Sequence, residues 1–194
     1  MPEITDRRKL FLHELGDILF VEQKLADEVL PKLIDEVKDP ELRRGLTRHQ
    51  KQTRKHVTNV EKVFRQLGER PQAEECVGFV GLKNEHDKLM SEASRDLVDS
   101  IDTSAAARTE HYEIAAYQGL IAMARGLGQG DVVPLLQENL TQEREALREL
   151  EKVSRRLAKD GAGRTTTRRA ARRTTSNKRR SAGSRRTTAR AGRR

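Results

Sequence analysis

The chain has 194 residues, with 39 Lys and Arg against 30 Asp and Glu, and it contains no Trp and a single cysteine, Cys76. One cysteine excludes an intramolecular disulfide, which is typical of a reducing cytoplasm, and no apolar run reaches the length of a membrane span. A chain of this length can bury one core, and its abundance of Glu, Lys, Arg, Gln and Ala favours helices over strands.

Charge divides the sequence into two unlike parts. Residues 161–194 contain 12 Arg, one Lys and no acid, which gives +13, whereas residues 1–160 carry 26 basic against 30 acidic residues, which gives −4. The segment 161–194, called the basic tail below, has no Leu, Ile, Val, Met or aromatic residue. Ordering it would cost backbone entropy without apolar burial. The sequence therefore predicts a folded domain over 1–160 and a disordered tail over 161–194.

Apolar residues at helical spacing predict four long helices and a short one in the domain. Pro31 is expected to kink the first helix, and Asp39 and Gly68 are expected to cap the second. The long helices are predicted over 7–37, 40–67, 102–125 and 131–158, and the short one over 83–95. This order predicts an all-α, antiparallel four-helix bundle with one short extra helix. A solenoid of helix pairs is the alternative, but the domain shows no internal repeat.

Acidic residues and a histidine interrupt the apolar stripes of all four long helices. The candidates are Glu22, His49, Glu110, Glu113 and Glu143. One glutamate on an apolar stripe is more often a boundary residue that reaches solvent. Carboxylates with histidine that point inward from a bundle are, however, the ligand set of di-iron and di-manganese proteins. We therefore predict these five residues as metal ligands, with iron or manganese as the cofactor.

Other polar residues receive weaker assignments from the helical pattern. His56 borders the inner stripe of the second helix, where it would support a ligand rather than bind metal. His13, His86 and His111 are predicted to be solvated surface residues. Cys76 is predicted to be a small buried residue rather than a reactive thiol.

Several segments resemble one known family. The run Glu110-His111-Tyr112-Glu113-Ile114-Ala115-Ala116-Tyr117 resembles the signature of the YciF-like ferritin-like stress-protein family. Residues 15–25, 76–82 and 136–150 are similar to that family's first helix, cysteine-containing segment and last helix. The resemblance covers residues 5–158 and not the tail. It implies a ferritin-like bundle, self-association and a role in bacterial stress response, but no settled biochemical activity.

The second helix departs from the family pattern His-x-Glu-Glu-Thr. This chain has His49-Gln50-Lys51-Gln52-Thr53, so both acids are replaced. Lys51 points outward on the helical wheel, whereas Gln52 lies nearer the core and replaces a carboxylate with a neutral, weaker amide ligand. The remaining ligands would hold one metal, or two with the help of water. Ferroxidase-type activity therefore stays an open question.

The basic tail resembles the basic tails of histones. Its cations are separated by Thr, Ser, Ala and Gly, and they are Arg164, Arg168, Arg169, Arg172, Arg173, Lys178, Arg179, Arg180, Arg185, Arg186, Arg190, Arg193 and Arg194. Arginine forks match phosphate oxygens, and the absence of aromatic residues leaves no platform for base stacking. The tail is therefore predicted to bind the DNA backbone without sequence preference. A merely solubilising tail, RNA and an acidic membrane surface are the alternatives, and no apolar anchor favours the membrane.

The leading functional prediction is a bacterial stress protein that binds DNA through its tail. It would be a cytoplasmic, nucleoid-associated homo-oligomer with a partial di-metal site. One alternative is a di-iron or di-manganese oxidase or peroxide-scavenging enzyme that the tail localises, and another is a metal-free structural scaffold. Five cations on the outer face of the second helix are interpreted as a solvated face or as an auxiliary phosphate-contact surface: Arg44, Arg48, Lys51, Lys55 and Lys62.

Overall fold

The computed structural model describes the backbone over residues 4–184 and the side chains over residues 4–160. Within these residues the chain is helical and has no strand. The elements are α1 (Arg7–Lys24), a π-helical turn (Leu25–Val29), α2 (Leu30–Glu36), α3 (Pro40–Gln66), α4 (Val77–Glu92), α5 (Val98–Gly126), a 3-10 turn (Gly130–Val132) and α6 (Val133–Ser184). The four long helices and the short one confirm the predicted fold class.

The chain divides into two units, residues 1–154 and residues 155–194, and the bundle is the first. The backbone of α6 is helical as far as Ser184, beyond the end at residue 158 that the sequence predicts. The side chains of 161–194 and the backbone of 185–194 lie outside the described residues. The disordered tail, its basic residues and the domain boundary at residue 160 therefore stay predictions.

The predicted first helix is one long segment with an irregular turn in it. Asp6 caps α1 by accepting a hydrogen bond from the backbone N–H of Lys9 at 2.8 Å. The π-helical turn comes just before Pro31, where the Leu30 N–H donates to the Leu25 carbonyl five residues back. Proline has no N–H to donate, so the helical ladder must rearrange near it. The structure has this π-helical turn where the sequence predicts a kink.

Helices α3 and α4 show one accurate and one inaccurate boundary. Asp39 caps α3 by accepting from the N–H groups of Glu41 and Leu42, and Gly68 ends it with a φ of 77°. Helix α4 begins at Val77, six residues before the predicted start at residue 83. The first turns of α4 contain two glycines, and glycine has a low helix propensity. Phe79 in the same turns is only 2 % exposed, and its packing outweighs the low helix propensity of the glycines.

Cys76 precedes α4 and packs inside the bundle. The side chain is buried, as the sequence predicts, and its Sγ lies 2.8 Å from the hydroxyl of Tyr112 on α5. A Cβ on the neighbouring Gly78 would lie 3.2 Å from the ring of Tyr112. The close approach of α4 to α5 therefore depends on a small residue at position 78.

Two cations on the outer face of α3 form ion pairs with α6. Arg48 pairs with Glu149, and Lys55 pairs with Glu138. The residue numbers rise along α3 as they fall along α6, so these two helices are antiparallel. Acids therefore neutralise two of the five cations on this face, and its role as an auxiliary phosphate-contact surface stays a prediction.

Helices α3 and α5 run in the same direction. His49 lies beside Glu110, and His56, two turns further along α3, packs against Tyr117, two turns further along α5. The connection that contains α4 carries the chain back along the bundle and makes this parallel arrangement possible. It places the polar residues of both helices at matching heights in the core. No helix among the described residues is long and apolar enough to cross a membrane.

Candidate metal centre

A group of acids and histidines fills the middle of the bundle core. Its members come from α1, α3, α5 and α6, and none is more than 6 % exposed. They are Glu22, His49, His56, Glu110, Glu113 and Glu143. All five residues that the sequence predicts as ligands are therefore buried in the core, and His56 joins them.

Glu143 connects two groups of ligand atoms. Its Oε1 lies 2.7 Å from His56 Nδ1, which is 3.3 Å from Glu22 Oε1. Its Oε2 lies 3.7 Å from His49 Nε2, which is 3.3 Å from Glu110 Oε1. In each group the three ligand atoms lie within 4.8 Å of one another. A carboxylate that presents one oxygen to each group has the arrangement of a ligand that bridges two metals.

The two groups are named here by their histidines. The His56 position consists of Glu22, His56 and Glu143, and the His49 position consists of His49, Glu110 and Glu143. Glu113 belongs to neither group, although it is fully buried. Neither of its carboxylate oxygens has a hydrogen-bond partner among the described residues. Its role as a ligand therefore stays a prediction.

Three of the four glutamates are in surroundings that oppose their negative charge. Burial raises the pKa of Glu110 and of Glu113 well above its usual value of 4.5, and the negative charge of Glu143 raises both further. Burial also raises the pKa of Glu22, although the positive charge of His56 opposes that rise. Without a cation, Glu110 and Glu113 are therefore stabilised in the protonated form.

His56 and Glu143 form the charged pair of the group. Burial alone would lower the pKa of His56, but Glu22 and Glu143 outweigh it and raise that pKa to about 11. Burial alone would raise the pKa of Glu143, but the imidazoles of His49 and His56 outweigh it and lower that pKa to about 2. Burial lowers the pKa of His49, and the negative charge of Glu143 opposes that fall. The firm ion pair is therefore the one between His56 and Glu143.

The donor set fits a pair of divalent cations. Carboxylate oxygens of Glu22, Glu110 and Glu113 are buried without a hydrogen-bond partner among the described residues. Buried polar atoms without partners cost free energy, and a cation would satisfy them. Carboxylate and imidazole together suit iron and manganese. Gln52, which is half-buried, adds no charge to the set.

A chain of buried amides and a tyrosine supports Glu22. The hydroxyl of Tyr117 donates to Glu22 Oε1, and Asn139 Nδ2 donates to the Tyr117 oxygen at 2.9 Å. Asn59 Nδ2 donates in turn to Asn139 Oδ1 at 2.8 Å. Such bonds fix the rotamer of a ligand before a metal arrives. Sequence reasoning missed Asn59 and Asn139, because a buried Asn is common in bundles and gives no distinctive signal.

His56 is the ligand candidate that sequence reasoning placed outside the site. Its ring is fully buried, Nδ1 faces two carboxylates, and Nε2 lies 2.9 Å from Gln142 Oε1. The available signal was its spacing from His49: seven residues are two helical turns, which puts both rings on one face. His56 therefore lies within the group rather than at its border.

The remaining histidines differ in exposure. The prediction of a solvated His86 is wrong, because His86 is 7 % exposed and its Nε2 lies 2.8 Å from Oδ1 of the buried Asp102. His13 is half-buried and lies 2.6 Å from Glu74. His111 is exposed, as the sequence predicts. Burial of His86 depends on α4 folding over α5, which helical periodicity along one segment does not reveal.

Comparison with known proteins identifies the family. The family described as "Domain of unknown function (DUF892)" matches residues 6–163. The chain belongs to this family. It is 28 % identical over 137 residues to Protein YciF of Escherichia coli (strain K12), across 70 % of this chain and 82 % of YciF. The resemblance to YciF-like proteins is thereby confirmed for the domain, and the basic tail beyond residue 163 is outside the match.

Solved structures of family relatives have the same fold. YcfI from Rhodopseudomonas palustris superposes with a TM-score of 0.74 at 36 % identity, covering 77 % of this chain and 96 % of that chain. The E. coli stress protein YciF superposes with a TM-score of 0.74 at 24 % identity, covering 80 % of this chain and 99 % of that chain. The identity with this second structure supports the fold alone.

Proposed function

We propose that this DUF892 protein is a bacterial stress protein that binds a pair of iron or manganese ions in its core. The observation that carries the proposal is the position of Glu143, whose two oxygens face two separate histidine-carboxylate groups. A purely structural core would gain nothing from four buried glutamates, two of which are stabilised in the protonated form. Bound metal would compensate for that cost.

The residues have distinct tasks in this proposal. Glu143 would bridge the pair, Glu22 and His56 would complete one position, and His49 and Glu110 would complete the other. Bound iron or manganese would supply redox chemistry toward peroxide or dioxygen. The protein holds the ligands in a water-poor core.

Metal-dependent stabilisation tests the metal proposal. A ligand that binds only the folded state raises the melting temperature as its concentration exceeds the dissociation constant. Mn²⁺ should raise the melting temperature of the wild-type chain, and Glu143→Gln should abolish most of that rise. Glu145→Gln, an exposed position on the same helix, is the matched control. An equal rise in Glu143→Gln and wild type would contradict the proposal.

We further propose that the basic tail binds DNA through its phosphate backbone. The support is the sequence: 13 cations without one acid, in a segment beyond the family match. If eight of these cations met phosphates, the logarithm of the binding constant would fall with the logarithm of salt at a slope of about −7. Gel shifts over a salt series, with the full chain and with a chain that ends at residue 160, measure that slope. Equal binding by the shortened chain would refute the proposal.

Self-association would strengthen both activities. The resemblance to the family implies a homo-oligomer, and several tails on one assembly raise avidity without new contacts. Such an assembly would be associated with the nucleoid in the cytoplasm and would keep metal chemistry near DNA. Light scattering of the purified chain measures the oligomeric state, and a monomer at micromolar concentration would contradict this part.

An oxidase or a peroxide-scavenging enzyme is the second candidate. Tyr117 favours it, because a buried phenol that donates to the candidate ligand Glu22 can supply a proton and an electron together. Peroxide consumption by metal-loaded wild type, lost in Glu143→Gln, would support turnover. Metal-loaded wild type without peroxide or oxygen consumption would exclude it.

A further inference from the structure

A cavity of about 380 Å³ lies between α3 and α6 and ends at the His49 position. His49, Gln52 and Glu110 line this cavity, and so do apolar side chains such as Leu46 and Leu150. His49 and Glu110 are the buried polar residues among them. Two of the three residues that form the His49 position are therefore next to open space. The volume is sufficient for a hydrated ion and several waters.

Exposed ion pairs connect the two helices across this cavity. Arg48 pairs with Glu149, and Glu41 lies 3.0 Å from Lys152. All four residues line the cavity. Ion pairs between exposed side chains contribute only about 0–1 kcal/mol, so these side chains can move aside at little cost. Acids and bases are both present, so the lining does not repel a cation.

The His56 position is enclosed by comparison. Glu22 and His56 are both 0 % exposed, and neither lines this cavity. A second, smaller cavity of about 40 Å³ also adjoins His49 and Glu110, on the side of Phe79. The His49 position is thus bordered by space on two sides, whereas packing surrounds the His56 position.

We propose that the cavity between α3 and α6 is the route by which divalent cations enter and leave the His49 position. This position exchanges its ion rapidly, and the His56 position exchanges slowly. The inference rests on the proposed metal function and adds that the two positions are kinetically unequal. His49, Glu110 and Glu143 would hold the ion there, and the cavity beside His49 and Glu110 leaves room for water.

Gln52 contributes to this inequality. It lines the same cavity as His49 and carries a neutral amide rather than a carboxylate. A carboxylate at the same place would attract the ion more strongly and replace a water ligand. Gln52→Glu should therefore slow release from the His49 position by about tenfold or more and leave the His56 position unchanged.

Chelation kinetics on the full chain test the route. The protein is loaded with Co²⁺, whose visible absorbance reports its coordination, and the absorbance decay after excess EDTA is recorded. We expect a fast phase and a slow phase of equal amplitude. His49→Ala should remove the fast phase and keep the slow one, which assigns the fast phase to the His49 position.

Gly45→Leu is designed to fill the cavity without disturbing the helix. Gly45 lines the cavity, and a Cβ there would meet only the Glu149 carboxylate, at 3.8 Å. Leucine also has a higher helix propensity than glycine. The fast phase should slow by about tenfold or more at unchanged amplitude. Gly119→Leu, on the exposed face of α5 with no atom within 4 Å of its Cβ, should leave both phases unchanged.

Ala146→Leu fills the same cavity from α6. If Gly45→Leu does not fold, this second variant tests whether filling the cavity slows the fast phase. Wild-type fast-phase rates in a folded cavity-filling variant would overturn the route. Two ions released in one phase would overturn the inequality while leaving the metal proposal intact. A wild-type chain that binds no Co²⁺ would instead refute the proposed metal function, and this inference with it.

Discussion

Replacing Glu113 by Gln should change the stability of the metal-free protein, relative to wild type, increasingly in favour of the variant as pH rises. Glu113 is fully buried, and neither of its oxygens has a hydrogen-bond partner among the described residues. Burial raises the pKa of this carboxyl well above its usual 4.5 in the folded state. Between those two pKa values the folded state binds more protons than the unfolded state, so the free energy of unfolding falls as pH rises.

The expected magnitude follows from the linkage relation. One group in this regime lowers the free energy of unfolding by about 1.4 kcal/mol per pH unit. Between about pH 4.5 and about pH 7.5 the share of Glu113 is therefore bounded by about 4 kcal/mol. A glutamine amide has the same shape and does not titrate, but its buried N–H groups cost about 1–3 kcal/mol at every pH. The informative quantity is thus the difference in slope, not the offset.

Urea denaturation of chelator-treated protein at about pH 5 and about pH 7.5 measures that slope. The stability difference between Glu113→Gln and wild type should move in favour of the variant as pH rises. Glu145→Gln, which removes an exposed carboxylate from α6, should show no such change. A Glu113→Gln difference that is the same at both pH values would refute the view that Glu113 is an uncompensated buried acid.

Other substitutions test the charged pair and the packing of the bundle. His56→Ala should destabilise the protein by about 3–5 kcal/mol, because it leaves Glu143 buried without its cation, whereas exposed His111→Ala should have little effect. An equal effect of both in urea denaturation would contradict that pairing. Gly16→Ala should destabilise by about 1–3 kcal/mol despite alanine's helix propensity, because its Cβ would lie 3.0 Å from a backbone oxygen of the α3–α4 loop. Gly119→Ala, which has open space around its Cβ, should instead raise the free energy of unfolding by up to about 1 kcal/mol. If Gly16→Ala stabilised the protein, the close contact at Gly16 would be contradicted.

The sequence predicts the helices well where local signals agree with packing. Asp39 and Gly68 mark both ends of α3, because capping depends only on neighbouring residues. The predicted start of α4 is wrong, because two glycines near residue 77 argue against a helix. Contacts of α4 with α1 and α5 explain why the helix nevertheless forms there. Phe79, which packs edge-on against Phe20 of α1, makes one of those contacts.

The candidate site was predictable as a set of residues but not as an arrangement. Glu22 and Glu143 stand out because apolar neighbours surround them at helical spacing. The contacts of Glu22 and Glu143 with His56 depend on how α1, α3 and α6 are rotated and on the heights at which they pack. The apolar pattern of one helix does not determine these rotations and heights. The same limit explains why His86 was assigned to the surface, since its partner Asp102 lies on another helix.

Metal content after reconstitution tests the central claim most directly. The chain is incubated with Mn²⁺ or, without oxygen, with Fe²⁺, passed over a desalting column and analysed by mass spectrometry of the elements. We expect about two ions per chain in wild type, about one in His49→Ala and a near-complete loss in Glu143→Ala, because a bridging carboxylate serves both positions. Wild-type protein that retains neither metal, or Glu143→Ala that retains as much as wild type, would contradict the claim that this group of glutamates and histidines is a metal site.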